Sequence, residues 1–367
     1  METVLNNGEP VGIASLCFQC GACTANCPLN INDGTRMNPR KILRKLQLGL
    51  KPDVDPFMCM MCMACEWVCP RGVKILDVIR YFRVEAYRAN RTPEKLVQAL
   101  WNIYEEGNPW GYPSKDRGKW SSGLQIRERA KTLLYVGCIT SYDIRLQKIA
   151  RNIVRLLTDS GVEVAVLGGR ERCCGDTIYN AGETDFLEEL IEDNIKQFKE
   201  TDAETIITVS PHCNNMIKNV YPRYGGDFEV FHYTEYLNNL LEVGKLQIPQ
   251  RYNGEKVTYH DPCYLGRYMN IFEEPRKLLE HVKGIELVEM KLNKAVSLCC
   301  GGGGGHILFE SKPDERPSNI RVRQAAETCA KTLVTSCPYC IINFEDSVKM
   351  QKLGMQVADL TEILSGL

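Results

Sequence analysis

The chain has 367 residues, a formal net charge of −1 and 44% hydrophobic residues, which is enough sequence for two or three domains. The balanced charge gives no support for a nucleic-acid partner, and no apolar run approaches the ~18–20 residues that span a bilayer. The stretch from Met1 to Val11 lacks the pattern of a signal peptide. These features predict a cytoplasmic protein that reaches the inner face of a membrane only through a partner.

The chain contains 18 cysteines, which is the most informative part of its composition. Secreted disulfide scaffolds are also rich in cysteine, but they are small. Here the cysteines fall in regular clusters along a large chain, and this favours metal ligation over disulfides. So many clustered thiols also indicate a reducing or anaerobic environment.

The N-terminal segment, residues 1–90, carries the pattern C-x2-C-x2-C-x3-C-P twice. This run is typical of bacterial two-cluster ferredoxins, in which the fourth cysteine of each run ligates the other cluster. It predicts two cubane [4Fe-4S] clusters, one on Cys17, Cys20, Cys23 and Cys69 and the other on Cys59, Cys62, Cys65 and Cys27. Zinc also binds four thiolates in C-x2-C pairs, but two runs that both end in Cys-Pro disfavour it.

Helices are predicted between and after the two runs. Asn38 suits an N-cap, Pro39 suits the first helical position, and a second helix is expected from about residue 73 to 89. This pattern predicts an α-helical ferredoxin domain. Residues 91–130 follow as a connector, with a helix and then a turn-rich aromatic stretch.

Residues 131–367 contain an internal duplication, with copies at 131–250 and 251–367. In each copy an apolar run ends in a cysteine, a Cys-Cys-Gly follows, and a second apolar run leads into a Pro-x-Cys. The spacing agrees, since 34 residues separate Cys138 from Cys173 and 35 separate Cys263 from Cys299. Alternating strands and amphipathic helices predict an α/β domain pair with largely parallel strands, whose carboxyl ends carry the cysteines.

The two copies are not equal. The second has five cysteines, namely Cys263, Cys299, Cys300, Cys337 and Cys340. The first has Ser210 in place of the fifth and retains only Cys138, Cys173, Cys174 and Cys213. Because a serine oxygen is a poorer iron ligand than a thiolate, the second copy is the predicted catalytic site. The first copy is left with three alternatives: a simpler cubane, an altered cluster, or none.

A glycine run follows the cysteine pair of the second copy. It is expected to let substrate approach closely and to offer N–H groups to a cluster, through Gly301, Gly302, Gly303, Gly304 and Gly305. His306 is predicted to protonate a leaving thiolate, with an ordinary loop residue as the alternative. His212 and His260 adjoin predicted ligands and are expected to support or pack rather than catalyse. Cys329 lies outside the motifs and is predicted to be buried on a helix.

The duplicated part resembles the CCG motif found in the B-type subunit of heterodisulfide reductase, and the N-terminal runs resemble its C-type subunit. A fusion in this order is similar to the D-type subunit of that family. The resemblance implies that a complete CCG set holds a non-cubane [4Fe-4S] cluster, which binds substrate sulfur and splits a disulfide. This role falls on the cysteines of the second copy, while Ser210 departs from the family pattern in the first.

The function that the resemblance implies is that of an iron–sulfur oxidoreductase subunit. Electrons would enter at the ferredoxin domain, pass to the first copy if it holds a cluster, and reduce a disulfide at the second. No flavin or nicotinamide fingerprint is present, so a flavoprotein, ferredoxin, hydrogenase or membrane cytochrome b-type subunit is expected as partner. Two alternatives stay open: an electron conduit like the iron–sulfur subunits of glycolate and lactate oxidation systems, and a non-catalytic scaffold.

Overall fold

The computed structural model describes residues 10–30, 37–248, 251–309 and 316–366. Helices come first and two parallel sheets follow, so the predicted α+β architecture, a helical N-terminal domain before a duplicated α/β pair, is confirmed. Of the stretch expected to lack a signal peptide, residues 1–9 lie outside the described ranges. Within those ranges, none of the helices combines the length and apolar character needed to cross a bilayer.

The N-terminal domain is helical where apolar residues recur at helical spacing. The Asn38 side chain accepts a hydrogen bond from the Lys41 N–H and caps a helix at the predicted position. Leu43 and Leu46 bury the inner face of this helix in the domain core. The helices of this domain and of the connector are α1 (Pro10–Ser15), α2 (Ala22–Ala25), α3 (Pro39–Gln47), α4 (Ala64–Trp67), α5 (Ile75–Arg88) and α6 (Glu94–Glu106).

Each copy of the duplication forms one sheet of four parallel strands. We call the copy with residues 131–250 the first half and the copy with residues 251–367 the second half. The strands are β1 (Thr132–Tyr135), β2 (Val164–Ala165), β3 (Thr205–Thr208) and β4 (Glu229–His232), then β5 (Arg251–His260), β6 (Lys283–Leu287), β7 (Thr332–Thr335) and β8 (Gln356–Asp359). Their order is β2-β1-β3-β4 in one sheet and β6-β5-β7-β8 in the other, which supports the duplication.

Helices connect the parallel strands in both halves. In the first half these are α7 (Cys138–Tyr142), α8 (Ile144–Asp159), α9 (Asp176–Ala181), α10 (Asp185–Glu200), α11 (Pro211–Asn219) and α12 (Tyr233–Glu242). In the second half they are α13 (Cys263–Met269), α14 (Glu274–Glu280), α15 (Pro317–Ala326), α16 (Pro338–Met350) and α17 (Leu360–Ser365). Helices α7 and α13 follow the central strands β1 and β5, and both begin at a motif cysteine.

The two halves share a buried core. One apolar cluster contains side chains of both, such as Ile153 of α8 and Ile341 of α16. Across the same interface, Arg145 of α8 forms ion pairs of 2.8 Å with Glu345 and Glu362. The carboxyl edges of the two sheets are therefore held in a fixed relation to each other.

Two details differ from the prediction. The strand expected at residues 162–167 is reduced to β2, which pairs with the first two residues of β1 and forms one isolated bridge with Arg127. Cys329 is exposed, and its predicted burial on a helix was wrong. Helix α15 ends at Ala326, and Cys329 lies in the turn before β7 with φ of 57°. The domain limits 1–90, 91–130, 131–250 and 251–367 stay predictions.

Candidate metal centres

In the ferredoxin domain, the fourth cysteine of each run lies near cysteines of the other run. Burial, together with the neighbouring Cys17 and Cys69 thiolates, raises the pKa of Cys23, and Cys69 comes from the other run. Burial and the neighbouring Cys62 thiolate, also from the other run, raise the pKa of Cys27. One cavity is lined by apolar side chains and by Cys27, Cys59, Cys62 and Cys65. This is the predicted ligand set of one cubane.

Backbone N–H groups point at three of these sulfurs. The pairs are Gln19 to Cys17 at 3.3 Å, Met61 to Cys59 at 3.4 Å and Val73 to Cys69 at 3.4 Å. Such bonds stabilise a thiolate. Burial raises the pKa of Cys27 to about 12, so its ionised form needs a cation such as a metal beside it. Cys20, in contrast, is exposed.

The first half brings its four cysteines together, and we call them the first set. They lie at the start of α7 after β1, in the loop before α9, and in the first turn of α11 after β3. Each thiol contacts the next in the order Cys138, Cys173, Cys174 and Cys213. A Cβ added at Gly137 would lie 3.2 Å from Cys213 Sγ, and Gly137 has a φ of 82°, so this backbone position requires glycine. The cavity that the set surrounds also includes Ser210.

The connector contributes an arginine that sequence analysis missed. Arg117 is 1% exposed, and its Nη2 lies 3.5 Å from Cys138 Sγ and 2.7 Å from Glu171 Oε1. Contact with Cys173 and burial raise the pKa of Cys138, and the Arg117 charge opposes this rise. The Glu171 carboxylate also accepts bonds from two backbone N–H groups just after β1. A buried ion pair thus joins the connector to the first set.

The five cysteines of the second half form a continuous chain of sulfur contacts, which we call the second set. Cys263 Sγ lies 4.0 Å from Cys299 Sγ. Cys340 Sγ lies 3.3 Å from Cys300 Sγ. Contacts between Cys299 and Cys300 and between Cys337 and Cys340 complete the chain. All five are buried, and the contact with Cys299 lowers the pKa of Cys300.

His212 of the first half reaches the second set. Its Nδ1 lies 3.1 Å from Asp176 Oδ2, and its ring stacks on Tyr264 with 3.8 Å between centroids. Burial opposes ionisation of Cys337, but hydrogen bonds that include one with His212 lower its pKa to about 6. Tyr339, which corresponds to His212 in the second half, lines the cavity of the first set. Each half therefore supplies a side chain to the other's site.

The glycine run packs against the ferredoxin domain. A Cβ on Gly303 would lie 2.6 Å from the Met60 carbonyl oxygen. A Cβ on Gly304 would lie 2.6 Å from the Cys59 carbonyl oxygen. Neither position has room for a side chain, because two backbones meet there. The expected approach of a substrate to the run stays a prediction.

Arg83 of α5 joins the ferredoxin domain to both halves. Its guanidinium is fully buried and donates to the carbonyl oxygens of Cys59 at 2.6 Å, Asn180 at 2.7 Å and Gly304 at 3.1 Å. Sequence analysis missed this residue. The available signal was an arginine four residues after Ile79, on the apolar stripe of a predicted helix.

The second half also donates hydrogen bonds to the backbone of the second ferredoxin run, at Met61 and Cys62. The Arg267 Nε donates to the Cys62 carbonyl oxygen at 2.7 Å. The Tyr268 hydroxyl donates to the Met61 carbonyl oxygen at 2.7 Å. At this interface the Cys62 and Cys299 thiols lie in one buried cluster, and the neighbouring Cys299 lowers the pKa of Cys62. A cysteine of the ferredoxin domain thus packs beside a cysteine of the second set.

His306 faces the ferredoxin domain. Its Nε2 lies 3.0 Å from the Phe57 carbonyl oxygen, and its ring packs edge-on against Phe309. Burial lowers the pKa of His306 to about 4, which favours the neutral imidazole. This placement gives no support to the predicted role of His306 as an acid for a leaving thiolate.

The donor sets fit iron–sulfur clusters by their chemistry. Seventeen of the 18 cysteines lie in the four sets, and thiolates are the usual ligands of such clusters. At the first set, the buried Thr140 Oγ1 and Asp176 Oδ1 have no hydrogen-bond partner, which a group bound in the cavity would supply. In the parts of the chain that the structure describes, no group of three or more His, Cys, Asp or Glu side chains is placed so that it could hold a single metal ion.

Comparison with protein families agrees with the four sets. The family described as a 4Fe-4S dicluster domain matches residues 13–73. The family described as a cysteine-rich domain matches twice, at residues 132–218 and 257–345. The fold and the cysteine sets therefore define an iron–sulfur protein with a 4Fe-4S dicluster domain and two cysteine-rich domains.

Curated relatives carry related names. The chain is 35% identical over 84% of its length to a probable iron-sulfur-binding oxidoreductase, FadF, of Bacillus subtilis, of which it covers 46%. It is 30% identical over 95% of its length to the EtfAB:quinone oxidoreductase of Syntrophomonas wolfei, of which it covers 57%. It thus spans about half the length of these two relatives.

A third relative matches almost from end to end. The chain is 30% identical over 95% of its length to the D-type subunit of the dihydromethanophenazine:CoB–CoM heterodisulfide reductase of Methanosarcina mazei, and it covers 92% of that protein. The chain belongs to the family of heterodisulfide reductase D-type subunits, and the predicted resemblance is confirmed.

Proposed function

We propose that this chain is the disulfide-reducing iron–sulfur subunit of a larger redox complex. The proposal assigns two cubane [4Fe-4S] clusters to the ferredoxin domain and a non-cubane [4Fe-4S] cluster to the second set. It assigns a further [4Fe-4S] cluster to the first set, with Ser210 beside its four cysteines. The observation that carries the proposal is that Cys62 and Cys299 pack in the same buried cluster, because this contact links an electron-transfer domain to the complete CCG set.

This contact supports a direct route for electrons. Cys62 belongs to the ferredoxin cluster set and Cys299 to the second set, so clusters on the two sets would share a boundary. Arg83, Arg267 and the two glycines at 303 and 304 hold the backbones together at this boundary. In this proposal the first set lies beside the path and stores or exchanges electrons.

The residues around the second set are suited to reductive cleavage of a disulfide. When bound, the cluster would supply electrons one at a time and an iron atom with affinity for sulfur, while a disulfide needs two electrons. The five cysteines are buried, which keeps water from the reacting sulfurs. Asp176 fixes the orientation of His212, and His212 places a polar N–H at Cys337. The substrate class is a disulfide or its thiols.

Partners and location follow from the same proposal. A flavoprotein, ferredoxin, hydrogenase or membrane cytochrome b-type subunit would supply or accept the electrons. Cys20 is exposed at the ferredoxin domain, and an electron can enter there without passing through the other domains. A cytoplasmic chain that meets the membrane through such a partner fits this arrangement.

The test is EPR spectroscopy of the anaerobic, cluster-loaded protein, oxidised in the presence of candidate thiols. A paramagnetic signal that needs the thiol and is lost in Cys300→Ala supports disulfide chemistry at the second set. Cys329→Ala is the matched control, because Cys329 is exposed and lies outside every set. An intact second cluster that gives no thiol-dependent signal contradicts the proposal.

An electron conduit is the second candidate. The relative named EtfAB:quinone oxidoreductase favours it, because that name specifies no disulfide. Iron content cannot separate the two candidates, since both fill the second set. The EPR experiment does so, because a conduit reduces and reoxidises the second cluster without any effect of thiols.

A further inference from the structure

The pairing of two strands brings a histidine to the second set. His260 is the last residue of β5 and pairs with Thr335, the last residue of β7. The chain then runs from Thr335 into Cys337 and the first turn of α16, which carries Cys340. As a result the His260 Nε2 lies 3.5 Å from Cys340 Sγ.

An arginine determines which ring nitrogen of His260 carries the proton. The Arg321 Nε lies 3.1 Å from the His260 Nδ1. A guanidinium only donates hydrogen bonds, so this Nδ1 must accept one. The proton of the neutral ring then sits on Nε2, from which it points at the Cys340 sulfur.

The surroundings keep this arrangement rigid. His260 and Arg321 are both fully buried. Arg321 is itself anchored, since its Nη1 donates to the Leu292 carbonyl oxygen at 2.7 Å and its Nη2 to Ser297 Oγ at 3.1 Å. The ring of Phe344 packs edge-on against the imidazole with 4.6 Å between centroids. Neither ring nitrogen is free to change its partner.

We propose that His260 is a positioning residue that donates an N–H···S bond to Cys340 and thereby raises the reduction potential of the second cluster. Arg321 acts through His260 by holding its tautomer. The inference rests on the proposed function, because it requires a cluster at the second set. A hydrogen bond to a ligand sulfur stabilises the more negative, reduced cluster more than the oxidised one.

Among the described residues, the hydrogen bond from a strand-end histidine to a motif cysteine occurs in the second half and not in the first. Tyr135 occupies the corresponding position, since it ends β1 and pairs with Thr208 at the end of β3. Its hydroxyl donates to the Arg172 carbonyl oxygen and not to a sulfur. The first set has the Arg117 charge beside Cys138 instead. Different donors would give the two sets different potentials.

The experiment is an EPR-monitored redox titration of the full-length, cluster-loaded protein. In His260→Leu we expect the equilibrium constant for one-electron reduction of the second cluster to fall about tenfold, which corresponds to ~59 mV. The glutamine side chain in His260→Gln can offer an N–H donor in place of the histidine Nε2–H. Its potential should therefore be close to that of the wild type. Tyr135→Phe is the matched control at the corresponding strand end and should leave the reduction potential of the second cluster unchanged.

Each outcome separates this inference from the proposed function. If the wild type shows no cluster beyond those of the ferredoxin domain, the proposed function fails. The role of His260 is refuted if the second cluster is present and has the same reduction potential in His260→Leu as in the wild type. It is also refuted if His260→Gln lowers that potential as much as His260→Leu does. Should His260→Leu lose the cluster, His260→Met decides, because methionine is neutral and as long as glutamine but donates no hydrogen bond. A potential lower in His260→Met than in His260→Gln supports the inference, and equal potentials overturn it.

Discussion

Gly303 and Gly304 lie where the backbone of the ferredoxin motif comes closest to the second half. In the sequence, a run of five glycines indicates only that something approaches closely. The structure shows that at these two positions the neighbours are the carbonyl oxygens of Met60 and Cys59. The identity of the neighbour could not be predicted, because it depends on how parts of the chain that are distant in sequence pack together.

Gly303→Ala should therefore push the ferredoxin domain away from the glycine run of the second half. Its Cβ would lie 2.6 Å from the Met60 carbonyl oxygen, and overpacking of this kind costs about 1–3 kcal/mol. We expect a lower free energy of unfolding in denaturant titrations and slower reduction of the second cluster from the ferredoxin domain.

Gly354→Ala is the control for this change, because nothing lies within 4 Å of a Cβ at that position. It should leave both the stability and the rate of cluster reduction near those of the wild type. Equal stability and equal rates in Gly303→Ala and the wild type would show that the close contact of the backbones is not needed.

At the level of elements, the helix caps and the strand ends followed from local chemistry. Asn38 and Pro39 marked the start of α3, and the strands β1, β3, β5 and β7 each lead into a motif residue. The arginines that join the elements were not predictable in this way. Arg83 and Arg117 bond to groups distant in sequence, such as Asn180 and Glu171.

The N-cap of α17 shows how one element couples the two halves. The Asp359 carboxylate caps this helix by accepting from the Thr361 N–H, and it accepts a bond from the Tyr233 hydroxyl of the first half at 2.9 Å. Burial raises the pKa of Asp359 to about 7. The native state therefore binds this proton more tightly than the unfolded chain, and stability is lost as the pH rises.

Asp359→Asn tests this coupling. Between about pH 4 and pH 7, Asp359 should lower the free energy of unfolding of the wild type by up to ~1.4 kcal/mol per pH unit. Asparagine keeps a capping oxygen but does not titrate, so the variant should lose this part of the pH dependence. Denaturant titrations of cluster-loaded protein at pH 5 and pH 8 measure the difference. An identical pH dependence in both proteins would contradict the raised pKa.

In the whole molecule, the incomplete half contributes to the complete one. His212 of the first half contacts Cys337, and Tyr339 of the second half lines the cavity of the first set. Cys62 of the ferredoxin domain packs in the same buried cluster as Cys299 of the second set. The motifs alone suggested an order in which electrons cross the first set. The packing of the domains supports a shorter path.

Rapid freeze-quench EPR after mixing with a reduced ferredoxin tests this central claim most directly. The protein to use is the double variant Cys173→Ser/Cys174→Ser, which removes two cysteines of the first set and leaves those of the ferredoxin domain and the second set unchanged. We predict that its second cluster is reduced at the rate of the wild type. Reduction that stops at the ferredoxin clusters, with the second cluster left oxidised, would contradict the direct route.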